Sequence, residues 1–204
     1  MNRLSAVCAA ALLAGAASAA SLVWNEDYAV GTYVELSASA DFSVVATFTP
    51  GTNDNTWRNL LCVGAYVEGR YSVGHDVLRI QQRPHEEGYS LYGNVNMGEG
   101  TQASVRVYHT ADTLRFIVTR QGDAVTVYVG PEATPTLTFT IADDFAGADA
   151  FRLYWGMTGD GDTGTAPVEG TVGAVGVYDG VLTADEIARL ADPSTPPDAI
   201  PEPT

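Results

Sequence analysis

The sequence predicts an all-β chain, a two-sheet antiparallel sandwich with one short C-terminal helix. Three observations carry this prediction. Segments of period-two alternation recur along the chain, separated by clusters of Gly, Asn, Asp and Pro. No long helical stretch separates them. The one convincing amphipathic helix pattern lies near the C-terminus, with its own start and stop signals.

Taken in order, Phe42 to Phe48 alternates and ends at Pro50-Gly51. Val77 to Arg83 is expected to end at Pro84, and Tyr89 to Tyr92 at Gly93-Asn94. Ser104 to Tyr108 precedes Ala111-Asp112. Leu114 to Arg120 and Val125 to Val129 flank Gly122-Asp123, the signature of a tight hairpin. Leu137 to Ile141, Phe151 to Trp155 and Thr171 to Val177 complete the series.

Strand parity separates the faces, because successive side chains point to opposite sides. Leu114, Phe116 and Val118 face inward while Arg115, Ile117 and Thr119 face the other way. Phe151, Leu153 and Trp155 share one side, leaving Arg152 and Tyr154 on the other. In the helix, Thr183 is the expected N-cap, Glu186 completes a capping box, and Leu182 staples onto Ile187. Ile187, Leu190 and Ala191 form its apolar stripe, and Pro193 stops it.

Charge and leader bound the function. The 204 residues hold 10 Lys plus Arg, every one of them Arg, against 25 Asp plus Glu, for a formal charge of −15. Such a surface repels phosphate backbones and argues against a nucleic-acid partner. Arg3, the apolar run Leu4 to Ala14 and the small residues Ala17-Ser18-Ala19 read as a secretory signal peptide over residues 1–19. Its apolar run is shorter than the ~20 residues a spanning helix needs. Residues 20–192 then form one domain, and residues 193–204 a Pro-rich linker. After removal of the leader with Cys8, Cys62 is left in the apolar run Leu60 to Val63 as a buried thiol without a disulfide partner.

The run from Val172 to Ile187, with a strand, a Tyr-containing turn, Leu182-Thr183 and an acidic-Glu-Ile helix start, resembles the end of laminin G-like, concanavalin A-like jelly-roll domains. Phe42 to Pro50, Trp57 to Leu61 and Leu114 to Val129 are similar to earlier strands of the same family. The resemblance implies a two-sheet jelly-roll sandwich, often a calcium ion, and glycan or protein ligands. Ala199 to Thr204, with Pro201-Glu202-Pro203, resembles the start of a PEP-CTERM sorting signal of bacterial exported proteins. That implies a protein of the bacterial cell surface or surroundings, tied to a membrane only through a sorting segment beyond Thr204.

Concanavalin A-like folds include glycoside hydrolases, which need two carboxyl groups facing one bond. The family's Glu-x-Asp-x-x-Glu signature is absent; Glu86-Glu87 would point to opposite faces, and Asp143-Asp144 have a loop context. His75, His85 and His109 are scattered, with neither a nucleophile elbow nor metal spacing. For calcium, Asp160 and Asp162 in Gly159 to Gly164 offer carboxylates and carbonyls in a flexible loop. For sugar, aromatic rings stack on pyranose faces while polar groups read hydroxyls. The candidates are Trp57, Tyr66, Tyr71, Tyr89, Tyr92 and Tyr154, with Asn59, Arg79, Asn94 and Arg152. The expected function is an exported, non-enzymatic recognition domain for carbohydrate or glycoprotein. A structural or adhesive surface protein is the alternative, and a glycoside hydrolase the third reading.

Overall fold

The computed structural model describes residues 20–26, 33–37, 41–50, 58–67, 70–85, 88–97, 101–109, 113–130, 133–140, 150–155, 170–173 and 175–200. The alternating segments resolve into two antiparallel sheets, as the sequence predicts. The first runs, in spatial order, β1 (Ser21–Glu26), β13 (Val175–Asp179), β3 (Phe42–Pro50), β8 (Leu114–Gln121), β9 (Ala124–Val129) and β10 (Leu137–Thr140), with β12 (Gly170–Val172) also paired to β3. The second runs β2 (Tyr33–Ser37), β11 (Ala150–Trp155), β4 (Arg58–Val67), β5 (Arg70–His85), β6 (Gly88–Met97) and β7 (Thr101–His109). Neighbouring strands are often far apart in sequence, as β1 and β13 are, so the fold rests on non-local pairing.

Several boundaries differ from the sequence prediction. Pro84 lies inside β5, opposite Tyr89 and one residue short of the last pair, His85 with Gly88. A missing N–H is tolerated at the end of a ladder. Gly93 and Asn94 are mid-strand in β6, paired on both sides. The segment Thr171 to Val177 is two strands, β12 and β13, separated around Gly173. The hairpin at Gly122-Asp123 forms as expected, with Gln121 opposite Ala124 and Gly122 at φ 55°. Asp41 tethers it, its Oδ1 accepting from the Gly122 N–H at 2.7 Å.

The inner face of the first sheet is apolar apart from the buried Arg120, which stands opposite Phe42 and Val125. Phe42, Val44, Phe48, Leu114, Phe116, Val118, Val125, Val127, Val175 and Val177 are buried there. Across the sandwich, Leu153 of β11 is wholly buried. Yet β8 is buried on both faces, from Leu114 through Arg120. The reason lies at the C-terminus, where the chain folds back over the outer face of the first sheet.

That cover is built in steps. Thr183 caps helix α1 (Ala184–Leu190), accepting from the Glu186 N–H at 3.3 Å, while Glu186 Oε2 accepts from the Thr183 N–H at 2.7 Å. The Ser43 hydroxyl donates to Gly180 O and accepts from the Leu182 N–H, both at 3.0 Å, which fixes the approach to the helix. Ile187 and Leu190 then pack with Val45, Ile117, Tyr178 and Leu182. The following residues continue onto the sheet instead of running free. Ile200 joins the same cluster, as does Ala20. The stretch read from sequence as a linker is thus, up to Ile200, a strap against the sheet.

Arg115 and Tyr178 anchor the strap. The Arg115 guanidinium, 2% exposed, donates through Nη2 to the carbonyls of Asp192, Pro193 and Thr195. The Tyr178 hydroxyl donates to Pro197 O. Burial lowers the Arg115 pKa and raises that of Tyr178. At Asp192, hydrogen bonds from the Ser194 side chain and backbone lower the carboxyl pKa.

Candidate functional site

The register of the second sheet decides which candidates belong together. Directly opposed residues of an antiparallel pair share a face. Glu35 and Ser37 are exposed and Arg152 is partly so, whereas Leu153 is wholly buried. The parity of Arg152 therefore marks the outer face, and each paired residue carries that face one strand further.

One row crosses the whole sheet: Tyr33, Tyr154, Cys62, Arg79, Asn94 and Ser104. A second joins Ser37, Ala150, Tyr66 and Tyr71. A third joins Asn59, Gln81, Tyr92 and Arg106. Of the ten ligand-face candidates, Asn59, Tyr66, Tyr71, Arg79, Tyr92, Asn94, Arg152 and Tyr154 thus share the outer face, Asn59 and Tyr71 by way of the register shifts in the β4–β5 pairing. Tyr89 does not: it stands opposite Pro84 and His109, on the other parity. Trp57, Asp160 and Asp162 lie outside the described residues. Cys62, expected in the core from its apolar neighbours, stands in the outer-face row.

Over β5 to β7 the register is regular between Arg79 and His85, so the outer face forms a lattice three strands wide. Its rows are Arg79, Asn94, Ser104; Gln81, Tyr92, Arg106; and Arg83, Ser90, Tyr108. Tyr92 is the central position. The other parity of the same strands reads Ile80, Gly93, Val105 and Gln82, Leu91, Val107. By parity, one side of these strands holds mostly polar residues and the other largely apolar ones, the alternation that a sheet with one solvated face favours. Gln81, Arg83, Ser104, Arg106 and Tyr108 were not among the sequence candidates. Their signal was present in Arg79-x-Gln81-x-Arg83 and Ser104-x-Arg106-x-Tyr108, alternations that become meaningful once the strands are aligned.

On this face Arg152 pairs with Glu35, with Nε donating to Oε2 at 2.7 Å. It links β11 to the edge strand β2 between directly opposed residues. Such an exposed pair contributes at most ~1 kcal/mol to stability, but it holds the Arg152 side chain in one orientation. Among the described residues no group of three or more His, Cys, Asp or Glu is placed to hold a metal ion. Nor is any helix among them long and apolar enough to cross a membrane.

The chain matches no protein-family model and no curated protein sequence. Its fold is nevertheless shared with solved structures. The CBM40 domain of the Ruminococcus gnavus IT-sialidase is similar with a TM-score of 0.54 at 15% identity, over 83% of this chain and 98% of that one. The same domain bound to α2,6-sialyllactose matches with a TM-score of 0.54 at 14% identity, over 84% and 100%. A Trypanosoma rangeli sialidase has a TM-score of 0.55 at 20% identity, over 76% of this chain but 23% of the enzyme. These likenesses establish the architecture, a β-sandwich of the jelly-roll type.

Proposed function

We propose that the protein is an exported, non-enzymatic recognition module that binds carbohydrate, free or on a glycoprotein, through the outer face of its second sheet. The observation that carries this reading is the register: eight aromatic and polar residues, on β4, β5, β6 and β11, fall on one face. Tyr92 and Tyr154 are aromatic positions of a type that stacks on pyranoses, and Asn59, Asn94, Arg79 and Arg152 are residues of a type that hydrogen-bonds sugar hydroxyls. The fold neighbours add support, since one is a carbohydrate-binding module whose structure includes a bound sialyllactose. The leader of residues 1–19 and the laminin G-like and PEP-CTERM-like features fit export to the cell surface.

A glycan array followed by titration tests the reading. Binding that Tyr92→Ala weakens at least tenfold, with the fold intact by circular dichroism, is the expected result. An array without hits rejects it and leaves the structural or adhesive reading. Calcium at Asp160 and Asp162 is a separate proposal, resting on ligand chemistry alone. There the thermal midpoint rises with calcium over chelator, and an unchanged midpoint rejects the ion.

A further inference from the structure

The distribution of charge over the second sheet points to the kind of sugar. The chain as a whole is strongly acidic. Strands β5, β6 and β7 are not: they contain Arg70, Arg79, Arg83 and Arg106 against a single acid, Asp76. The register concentrates this further. Within the lattice centred on Tyr92, Arg79, Arg83 and Arg106 occupy three of nine positions and no position holds a carboxylate. Arginine is the residue suited to bidentate recognition of planar anions.

We propose, on the basis of the carbohydrate reading above, that β5 to β7 bind an anionic polysaccharide carrying several acidic groups along its chain. The spacing argues for several groups. Arg79 and Arg83 lie four residues apart on one strand, about 13 Å, and Arg106 lies two strands from Gln81, about 10 Å. One carboxylate cannot reach all three positions. Successive acidic sugars can, with Tyr92 between them as a stacking position and Asn94, Ser90 and Ser104 as hydroxyl readers. The net charge of the molecule bears on the choice of polyanion. Long-range repulsion falls hardest on densely charged strands such as nucleic acid. A polysaccharide with wider-spaced charges feels it less, while a local basic face still attracts it.

The test uses the protein from residue 20 onward and four probes in calorimetric titration: an oligogalacturonate series, a sulfated oligosaccharide, neutral oligosaccharides of matched length, and sialyllactose. A DNA duplex is the fifth. The expected result is binding to oligogalacturonate, to the sulfated sugar or to both. Affinity should rise with the number of acidic residues and fall with salt, and Arg83→Gln and Arg106→Gln should each weaken it about tenfold, ~1.4 kcal/mol. Comparison of the first two probes tells carboxylate from sulfate. Arg106→Lys should retain more affinity than Arg106→Gln, which separates charge recognition from misfolding, and unchanged thermal midpoints provide the second control. Equal binding of neutral sugars, unaffected by the Arg variants but lost in Tyr92→Ala, would overturn this inference and leave the carbohydrate reading standing. Binding of sialyllactose as tight as that of the longest oligogalacturonate would overturn the multipoint claim, and preferential binding of DNA would overturn the ligand class. Silence from every sugar rejects both readings.

Discussion

At the scale of single residues, the strap depends on one absent side chain and one buried hydroxyl. A Cβ built on Gly176 would come within 2.5 Å of the Pro197 Cβ and 3.4 Å of Leu22 Cδ1. Pro197 cannot yield by changing rotamer, so Gly176→Ala should lift the strap, with an expected cost of about 1–3 kcal/mol. Faster proteolysis within residues 192–200 would distinguish lifting from general destabilisation. Tyr178 makes a pH prediction. Its pKa is raised in the fold, chiefly by burial. Above the ordinary tyrosine pKa of about 10 the unfolded chain loses the proton that the native state keeps. Its contribution is therefore complete below about pH 10 and is lost as pH climbs from there toward the raised native value. Tyr178→Phe should flatten that alkaline decline in urea unfolding curves, while lowering stability near neutrality by about 1 kcal/mol through loss of the bond to Pro197 O. An unchanged alkaline slope would show that other groups set it.

At the scale of elements, the helix and the strap act in sequence. The capping box orients α1, which presents Ile187 and Leu190 to the sheet, and the chain then runs on to Ile200. Truncation after Ala191 removes the burial of Ile200, worth about 1.5–3 kcal/mol, and the carbonyl partners of Arg115, against which stands the entropy of the freed segment. A net loss of about 2–3 kcal/mol should lower the melting temperature by roughly 5–10 °C. An equal midpoint in scanning calorimetry would make the strap energetically idle. The helix was legible in the sequence down to its cap and staple, because those signals are local. The strap was not. Pro193, Pro196, Pro197 and Ser194 have the composition of a linker, and what holds them is Arg115 and Tyr178, distant in sequence. The same limit explains β1 and β2, which were missed although Val34 and Leu36 alternate with Tyr33, Glu35 and Ser37. Five residues carry too little period to stand out until β11 supplies the partner.

At the scale of the whole molecule, the outer faces of the two sheets differ. The outer face of the first is covered by α1 and the strap, which is why Arg115 and Ile117, correctly separated from the inner set by parity, are buried all the same. The outer face of the second carries eight of the ten candidate ligand positions. Parity within a strand was readable from the sequence. Which strands lie side by side was not, so the candidates remained a scatter of aromatics and polar groups until registers aligned them. Tyr89 shows the cost of choosing by residue type alone: a tyrosine three residues from Tyr92 falls on the opposite parity.

The meeting of Ala20 and Ile200 in one cluster beneath the strap has a practical corollary. The described chain enters and departs at the back of the sandwich, behind the covered sheet. A tether joined at either point pulls from the rear and leaves the Tyr92 lattice turned outward, like a palm held away from the wrist. Immobilising the protein on a sensor chip through a C-terminal tag should therefore preserve full glycan capture, whereas biotin placed at Ser90→Cys in a Cys62→Ser background should block it. Equal capture in the two orientations would mean that the gripping surface lies elsewhere.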